Sequence, residues 1–505
     1  MIQHLTFLPV LLPMLAGVIL LMPPFGRTKT NRRITSVLLS IVTLLVSVVL
    51  LLKVQADGTK VYAIGDWSAP FGIVLVADPL STLLVCLTTF LGFVCVLYAS
   101  AGDDEKGSLF HPLVHFLVLG VNGAFLTGDA FNLFVFFEVL LIASYALLIH
   151  GGDKKNTRAA LHYVIMNLVG SAIFLIALGI LYGVLGTLNM ADMAQKVAQL
   201  QGDDVYLVKI GGLLLLVVFA LKGALLPLHL WLANTYATAM PVVAALFAIM
   251  TKVGVYSMMR IYTLIFGDKA GELSHIAQGW LWWLAIATIA MGTIGVLASK
   301  DLRKLTANLV IVSVGTLVAL VAVQTIESSA AAIYYLVHST LVTAALFILA
   351  DLIGRQRGDV SDRIIAGPPV YQPRLLGVCF LVAGVAVIGM PPLSGFIAKV
   401  WLLKATLNAQ YTLVFWPLYL LASLAILVAV SKAGSTVFWH HQDKVTQSSE
   451  QTRVHPAQLV ALIILIASAP LMSIFAGPLS EYAIGAATQL HDFNSNIKVI
   501  LSGGK

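Results

Sequence analysis

The feature that most constrains this 505-residue chain is a series of about fourteen apolar runs, each close to the roughly 20 residues that a helix needs to cross a bilayer. Hydrophobic residues make up 59% of the sequence and charged residues only 10%, whereas soluble proteins carry about 25%. The sequence therefore predicts an all-α polytopic membrane protein with about 14 transmembrane helices. The runs start near residues 5, 34, 78, 111, 129, 160, 206, 238, 277, 304, 329, 374, 411 and 456.

The connections between the runs leave no room for an independent soluble domain. The longest connections are residues 53–77, 187–205, 354–373 and 439–455. The net charge of +7 is spread through short loops, which does not predict a nucleic-acid surface. The three cysteines lie inside apolar runs without CxxC or Cys/His spacing, so we expect no disulfide framework, no metal and no cofactor.

The basic residues of the loops predict an orientation. Lys and Arg concentrate in alternate loops, beginning with the loop after the first run and including Lys300, Arg303 and Arg355. The positive-inside rule assigns these loops to the cytoplasm, and an even number of helices then leaves both termini outside. The acidic stretch Ala101–Lys106 lies on the predicted cytoplasmic side and runs against this pattern without reversing it.

Several cations lie within the apolar runs or at their edges. These are Lys209, Lys222, Lys252, Arg260, Lys399 and Lys432. A cation near the bilayer centre costs about 2.5–3.5 kcal/mol on insertion scales. Lys209, Arg260 and Lys432 lie close to predicted helix ends, and we expect their long side chains to reach the membrane surface. The other three lysines lie deeper, and their cost favours a functional role.

One deep acid, Glu138, can form an ion pair with one of these lysines. An isolated buried glutamate keeps its proton and an isolated buried lysine loses its proton, but each restores the charge of the other when they are close. A pair that can break and re-form is what a proton relay requires. A static ion pair that locks two helices together is the alternative.

Histidines inside the runs add candidates. His338 is the best placed, because its imidazole can pass protons near neutral pH and its helix is locally polar and able to hold water. The neighbouring hydroxyl residues are Ser339, Thr340 and Thr343. His229, two residues after Pro227, is a further candidate. His115 and His162 are more simply interpreted as helix-to-helix hydrogen bonds.

Two runs are interrupted by proline and glycine. Pro227 breaks the seventh run shortly after Lys222, and the Gly-Met-Pro-Pro-Leu-Ser-Gly stretch at 389–395 breaks the twelfth run ahead of Lys399. Proline frees a backbone carbonyl, which is tolerated at membrane depth only where protein or water satisfies it. Two broken helices, five helices apart and each with a lysine, predict a transporter built from repeats.

We therefore predict two inverted five-helix repeats with broken helices 7 and 12. Residues 1–110 form three N-terminal helices, residues 111–270 the first repeat (helices 4–8) and residues 271–440 the second (helices 9–13). Residues 441–505 hold a C-terminal loop and helix 14.

The motifs at these positions resemble a known family. Lys222-Gly-Ala-Leu-Leu-Pro227-Leu-His229-Leu-Trp231-Leu, followed by Ala239-Met-Pro241-Val, resembles the broken seventh helix of the antiporter-like subunits of respiratory complex I and of the multisubunit Mrp-type monovalent cation/proton antiporters. Further signatures follow in the same order: Asp78-Pro-Leu-Ser81, Phe137-Glu138, Lys300-Asp301-Leu-Arg303-Lys304-Leu and Gly395-Phe-Ile-Ala-Lys399. The likeness covers about residues 75–440, and the lysine at position 399 is most similar to the Mrp branch.

The resemblance implies a fold of 14 helices with inverted repeats and a pair formed by Glu138 and Lys222. From this pair a hydrophilic chain would continue through Lys252, His338 and Lys399 along the membrane midplane. Secondary candidates are Asp78, His229 and Lys432. The implied function is that of a proton-translocating subunit of a Na⁺ (or other monovalent cation)/proton antiporter.

The implied protein is a secondary transporter and not an enzyme. Its implied partners are the other antiporter subunits, of A, B, C, E, F and G type, with protons, a monovalent cation and membrane lipid. Its implied place is the bacterial inner (cell) membrane. Three alternatives stay open: a proton-pumping membrane subunit of a complex I-type NADH:quinone oxidoreductase or membrane hydrogenase, a scaffold for another subunit's transport, and a self-sufficient transporter.

Overall fold

A computed structural model of the chain describes residues 4–150, 154–407, 409–440 and 453–502. Most of the predicted loop 439–455, and with it the start of the predicted C-terminal unit, lies outside these residues. The described helices are α1 (Leu8–Leu21), α2 (Lys29–Asp57), α3 (Pro79–Ala99), α4 (Phe110–Leu126), α5 (Ala130–Ile149), α6 (Lys154–Leu185), α7 (Met190–Val197), α8 (Asp204–Gly223), α9 (Leu230–Thr238), α10 (Pro241–Phe247), α11 (Met250–Leu264), α12 (Gln278–Ala298), α13 (Leu302–Val323), α14 (Ile326–Gln356), α15 (Pro373–Ile388), α16 (Ser394–Ala405), α17 (Ala409–Trp439), α18 (Pro456–Ile474), α19 (Ala476–His491) and α20 (Phe493–Leu501). An antiparallel hairpin of β1 (Lys60–Ala63) and β2 (Val74–Ala77) precedes α3.

The apolar runs predict the helices well. Each predicted run starts within about two turns of the first residue of a described helix. Among the described residues, 11 helices are long and apolar enough to cross a membrane, and three shorter apolar helices are Leu8–Leu21, Phe110–Leu126 and Pro373–Ile388. The all-α polytopic membrane architecture and both predicted helix breaks are confirmed. The number of crossings and the boundaries of the repeats remain predictions.

Helix α2 illustrates how the bilayer acts as the solvent. Its buried face carries Ser36, Ser40, Thr43 and Ser47, while leucine, isoleucine and valine side chains cover its exposed face. Ser40, for example, donates to the carbonyl of Ser36 one turn earlier at 2.8 Å, so its hydroxyl is satisfied within the helix. The polar stripe therefore faces the protein and the apolar surface faces lipid.

One face of the molecule, here called the hairpin face, is capped by β1, β2, α7 and α20. Ile500 of α20 packs with Val74 and Val76 of β2. Near the other end of the chain, the His4 ring hydrogen-bonds the Tyr62 hydroxyl of β1 at 3.1 Å. Both ends of the described chain therefore lie at the hairpin face.

The opposite face, here called the arginine face, contains the acidic stretch that ran against the charge pattern. Arg33 of α2 forms a bidentate pair with Asp104 at 2.6 and 2.8 Å, and Arg355 of α14 donates to Asp103 at 2.6 and 2.7 Å. Burial raises the pKa of the Asp104 carboxyl, but hydrogen bonds from His111 and Arg33 outweigh burial and hold that pKa well below its usual range. The acidic stretch thus lies among basic side chains, and its aspartates are paired with the arginines of the same face.

Candidate functional site

The first helix break separates α8 from α9. Helix α8 ends where Ala224 adopts a left-handed conformation (φ 59°), which turns the chain out of the helix. The Trp231 indole N–H donates to the carbonyl of Leu221 at 3.2 Å, and the N–H of Leu226 donates to the Thr288 hydroxyl of α12 at 2.9 Å. Two backbone groups beside this break are thus met by side chains of the protein, which helps the break to be tolerated at membrane depth.

The second break separates α15 from α16 and ends in the same way, with Gly389 left-handed (φ 78°). Here a lysine side chain donates to a free backbone carbonyl at the end of α15. The ammonium group of Lys399, on the helix after the break, reaches back to the carbonyl of Ile388 at 2.5 Å and also donates to the Ser423 hydroxyl of α17 at 2.7 Å. A cation at a helix C-terminus is favoured by the helix dipole.

Lys222 occupies the last turn of α8, so both ammonium groups lie near the C-terminal end of the half-helix before a break. Its side chain is 5% exposed and donates to the Asn167 side-chain oxygen of α6 at 3.2 Å. One turn along α6, the Ser171 hydroxyl hydrogen-bonds the half-buried Glu138 carboxylate. In the described chain, α6 therefore contributes two polar side chains to the predicted Glu138–Lys222 pair, and the two charged groups form no direct salt bridge.

Lys252 of α11 is 0% exposed, and its ammonium group donates to the Ser313 hydroxyl of α13 at 2.8 Å. A glycine contact brings its helix close to Lys222. A Cβ atom built on Gly254 would lie 2.7 Å from the backbone nitrogen of Gly223 and 3.1 Å from the carbonyl carbon of Lys222. The two lysines therefore flank a backbone-to-backbone contact, although their side chains point to different helices.

A small cavity with a water-accessible volume of about 30 Å³ lies next to Ser313, within the predicted second repeat. Its polar lining consists of Ser313, Tyr335, His338, Ser339, Thr343, Lys399, Tyr419 and Ser423. One buried water needs at least about 10–15 Å³ of such volume, so there is room for about two waters. His338, 3% exposed, also hydrogen-bonds the Ser394 hydroxyl at the start of α16 at 2.8 Å. Lys252, His338 and Lys399 thus share one polar region through Ser313.

The remaining predicted candidates lie elsewhere. His229 is half-buried at the first break, and Lys432 is exposed on α17. His115 hydrogen-bonds Ser36 of α2 at 3.1 Å, as a helix-to-helix contact should, but the same interpretation fails for His162, which is exposed on α6. None of these four side chains reaches the cavity.

The expectation that Arg260 reaches the membrane surface is wrong. Its side chain is 8% exposed and forms a 2.5 Å ion pair with Asp78, which is 0% exposed at the N-terminus of α3. Proximity to a helix end misled the prediction, because the hairpin face covers the outer end of α11. Lys209, in contrast, is exposed, and its reach to the membrane surface remains a prediction.

Sequence reasoning missed the hydroxyl and amide groups that contact the predicted site residues. Asn167, Ser313 and Ser423 contact the three lysines, Ser171 contacts Glu138 and Ser394 contacts His338. Their only signal was polarity within an apolar run, which many structural serines and threonines share. Within the described part of the chain, no group of three or more His, Cys, Asp or Glu side chains could hold a metal ion.

Fold and site together define a polytopic membrane protein with two broken helices, two buried lysines, Lys222 and Lys252, and a half-buried third, Lys399. The chain belongs to the family described as NADH:quinone oxidoreductase/Mrp antiporter, TM, which matches residues 127–431. The resemblance predicted from the motifs is thereby confirmed.

Curated relatives match along nearly the whole chain. The chain is 38% identical to the D-type subunit of a probable K(+)/H(+) antiporter of Rhizobium meliloti, over 97% of this chain and 96% of the relative. It is 36% identical to the D-type subunit of the Na(+)/H(+) antiporter of Alkalihalophilus pseudofirmus, over 99% of both chains. Among solved structures, a chain of the Mrp complex from Dietzia sp. DQ12-45-1b matches with a TM-score of 0.86 and 26% identity over 99% of both chains.

Proposed function

We propose that this chain is the proton-translocating subunit of a multisubunit monovalent cation/proton antiporter. It is a secondary transporter and works with subunits of the A, B, C, E, F and G types. It resides in a bacterial inner membrane, with the arginine face in the cytoplasm and both termini outside. The relatives named as D-type subunits of such antiporters support this assignment.

The observation that carries the proposal is the polar line through an otherwise apolar interior. Lys252 contacts Ser313, and Ser313 lines the same cavity as His338 and Lys399. Each charged group in this line carries a desolvation cost that a purely structural role does not require. Lysine, imidazole and water are also groups that can accept and release protons, which suits the line to proton transfer.

The proton route follows from these contacts. A proton enters near Lys222, whose charge responds to Glu138 through Ser171 and Asn167. It passes to Lys252 on the neighbouring helix, then by way of Ser313 and the cavity waters to His338 and Lys399. From Lys399 it leaves to the opposite side of the membrane.

Exchange measurements in inverted membrane vesicles that contain the whole complex test this proposal. Glu138→Gln and Lys222→Ala should each abolish cation-driven proton exchange, because each removes one member of the entry pair. Lys209→Ala is the matched control: this lysine lies on the same helix as Lys222 but is exposed. Wild-type exchange in assembled Glu138→Gln and Lys222→Ala complexes would refute the proposal.

Lys399→Ala tests the other end of the route. Loss of exchange is expected, and retained exchange would confine the route to the first repeat. The exchanged cation should be varied among Na⁺, Li⁺ and K⁺, since one of the two curated relatives is named for K⁺ and the other for Na⁺.

The second candidate function is a proton-pumping subunit of a quinone-reducing redox complex. This candidate is supported by the family description, which includes NADH:quinone oxidoreductase. Purification of the complex from native membranes decides between the two functions. Small membrane subunits support the antiporter, and co-purifying iron–sulfur subunits support the redox complex.

A further inference from the structure

A buried ion pair lies between Lys252 and the hairpin face. Lys252, Tyr256 and Arg260 are spaced four residues apart and so follow one face of α11. Eight residues of helix rise about 1.5 Å each, which puts Arg260 about 12 Å beyond Lys252 along the axis. Asp78, the partner of Arg260, comes directly after β2, so the pair lies at the hairpin end of this helix.

The guanidinium group of Arg260 is held from several sides. It contacts the Asp78 carboxylate at 2.5 Å and donates to the Tyr256 hydroxyl at 3.2 Å. The Tyr256 hydroxyl in turn donates to the carbonyl of Phe125, at the end of α4, at 2.6 Å. Asp78 is itself fixed, because it accepts the N–H of Ser81 at 2.8 Å and so caps α3.

Stability alone is a weak reason for such a pair. Two charges lose their hydration when they are buried together, and well-packed apolar residues in their place are often as stable or more stable. The chemistry of arginine supplies another reason. Its guanidinium group has only donors and keeps its proton at all physiological pH values, so it cannot pass a proton on. A fixed positive charge also repels protons in a narrow path.

We propose that the Asp78–Arg260 pair is a proton barrier that separates Lys252 from the hairpin face. The proposal rests on the proposed function, since it assumes that Lys252 carries a transported proton. The barrier keeps that proton on the route toward Ser313 and Lys399. Arg260 supplies the positive charge, and Asp78 and Tyr256 hold it in place.

Removal of the guanidinium group should turn the barrier into a leak. In Arg260→Gln, the groups left beyond Lys252 are the Tyr256 hydroxyl and the Asp78 carboxylate, and both can accept and release protons. The passive proton leak of vesicles without exchangeable cation should rise about tenfold, which is the effect of one unit charge about 12 Å away at an effective dielectric constant of about 20.

The matched control is Arg303→Gln. Arg303 also pairs with an aspartate, because its side chain donates to both carboxylate oxygens of Asp362, at 2.9 and 3.2 Å. This pair lies on the arginine face, away from the lysine line. Its leak should equal that of the wild type. A leak in Arg303→Gln as large as in Arg260→Gln would show that any broken arginine pair loosens the protein, and the proposal would be overturned.

Two further variants complete the test. Arg260→Lys keeps the charge and serves if Arg260→Gln does not assemble; because a lysine can release its proton, an intermediate leak is expected. The double variant Arg260→Gln with Lys252→Ala should lose the leak. A wild-type leak in the assembled Arg260 variants, or an undiminished leak in the double variant, overturns the proposal.

This result is independent of the main exchange test. The leak is measured without exchangeable cation and needs only Lys252. If Glu138→Gln and Lys222→Ala retained exchange, the proposed function would fail while the leak measurement still reported on the barrier.

Discussion

Replacement of Ser313 by alanine tests the link between the two repeats most directly. The Ser313 hydroxyl accepts the hydrogen bond of the Lys252 ammonium group at 2.8 Å and lines the cavity that also contains Lys399. The change removes one oxygen atom and leaves the helix backbone unaltered. Lys252 is 0% exposed, so bulk water cannot replace the lost partner.

The expected magnitude follows from this contact. A hydrogen bond to a charged group contributes about 1.5–3 kcal/mol, which corresponds to about a 10- to 150-fold change in an equilibrium constant. A water in the neighbouring cavity can take part of the vacated space and moderate the loss. We therefore expect Ser313→Ala to reduce cation-driven proton exchange about tenfold, at the lower end of that range.

The assay is cation-driven proton exchange in inverted vesicles, normalised to the amount of assembled complex. Ser257→Ala is the matched control, because Ser257 is a buried serine on α11 whose hydroxyl donates to the carbonyl of Val253 in its own helix, at 2.9 Å. Its exchange should stay near the wild-type rate. An assembled Ser313→Ala complex with wild-type exchange would refute the idea that protons pass from Lys252 to the second repeat by way of Ser313.

Three further predictions follow from other contacts. Asn167→Ala removes the side-chain acceptor of Lys222 and should lower exchange about tenfold in the same assay, whereas an unchanged rate would mean that α6 plays no part in proton entry. Gly254→Ala puts a methyl group 2.7 Å from the backbone of α8 and should cost about 1–3 kcal/mol, seen as a lower melting temperature of the purified complex; Gly179→Ala, at a site with open space, should show no such loss. Asp104→Asn should destabilise the protein at pH 7 by about 1–3 kcal/mol. Because the pKa of Asp104 is lowered in the folded state, its stabilising effect is present above the pKa of the unfolded chain and is lost as the pH falls below about 4. The melting temperatures of the wild type and Asp104→Asn should therefore converge in acid, and a constant difference would contradict this account.

The sequence predicted the helices and their breaks because these depend on local properties. An apolar run of sufficient length forms a helix in lipid wherever it occurs, and proline removes a backbone donor at its own position. The breaks after Gly223 and Ile388 were therefore predictable without knowledge of any neighbour. The cost of a charge in lipid is also local, which is why Lys222, Lys252 and Lys399 could be picked out.

The partners of these charges were not predictable in the same way. Ser313 and Asn167 are short polar residues in apolar helices, and such residues often satisfy themselves through the carbonyl one turn earlier. Ser171 shows both possibilities, since its hydroxyl lies close to the carbonyl of Asn167 as well as to Glu138. Which of many similar hydroxyls meets a lysine depends on how the helices are rotated and packed.

The ion-pair partners of Arg260 and of the acidic stretch 101–106 were not predictable from the sequence either. The sequence placed Arg260 near a helix end, and only the packing of α3 and α11 brought Asp78 to it from a distant part of the chain. Likewise, Asp103 and Asp104 ran against the charge pattern until α2 and α14 supplied their arginines.

The sequence by itself thus determined that the solvent of this protein is lipid, where its helices and their breaks lie, and which lysines are costly to place at membrane depth. These follow from transfer free energies and backbone chemistry, which act residue by residue. The tertiary structure decided which groups meet: Lys222 with Asn167, Lys252 with Ser313 and the cavity. Hydrogen bonds and ion pairs act over a few ångströms, so they are fixed only when the helices pack.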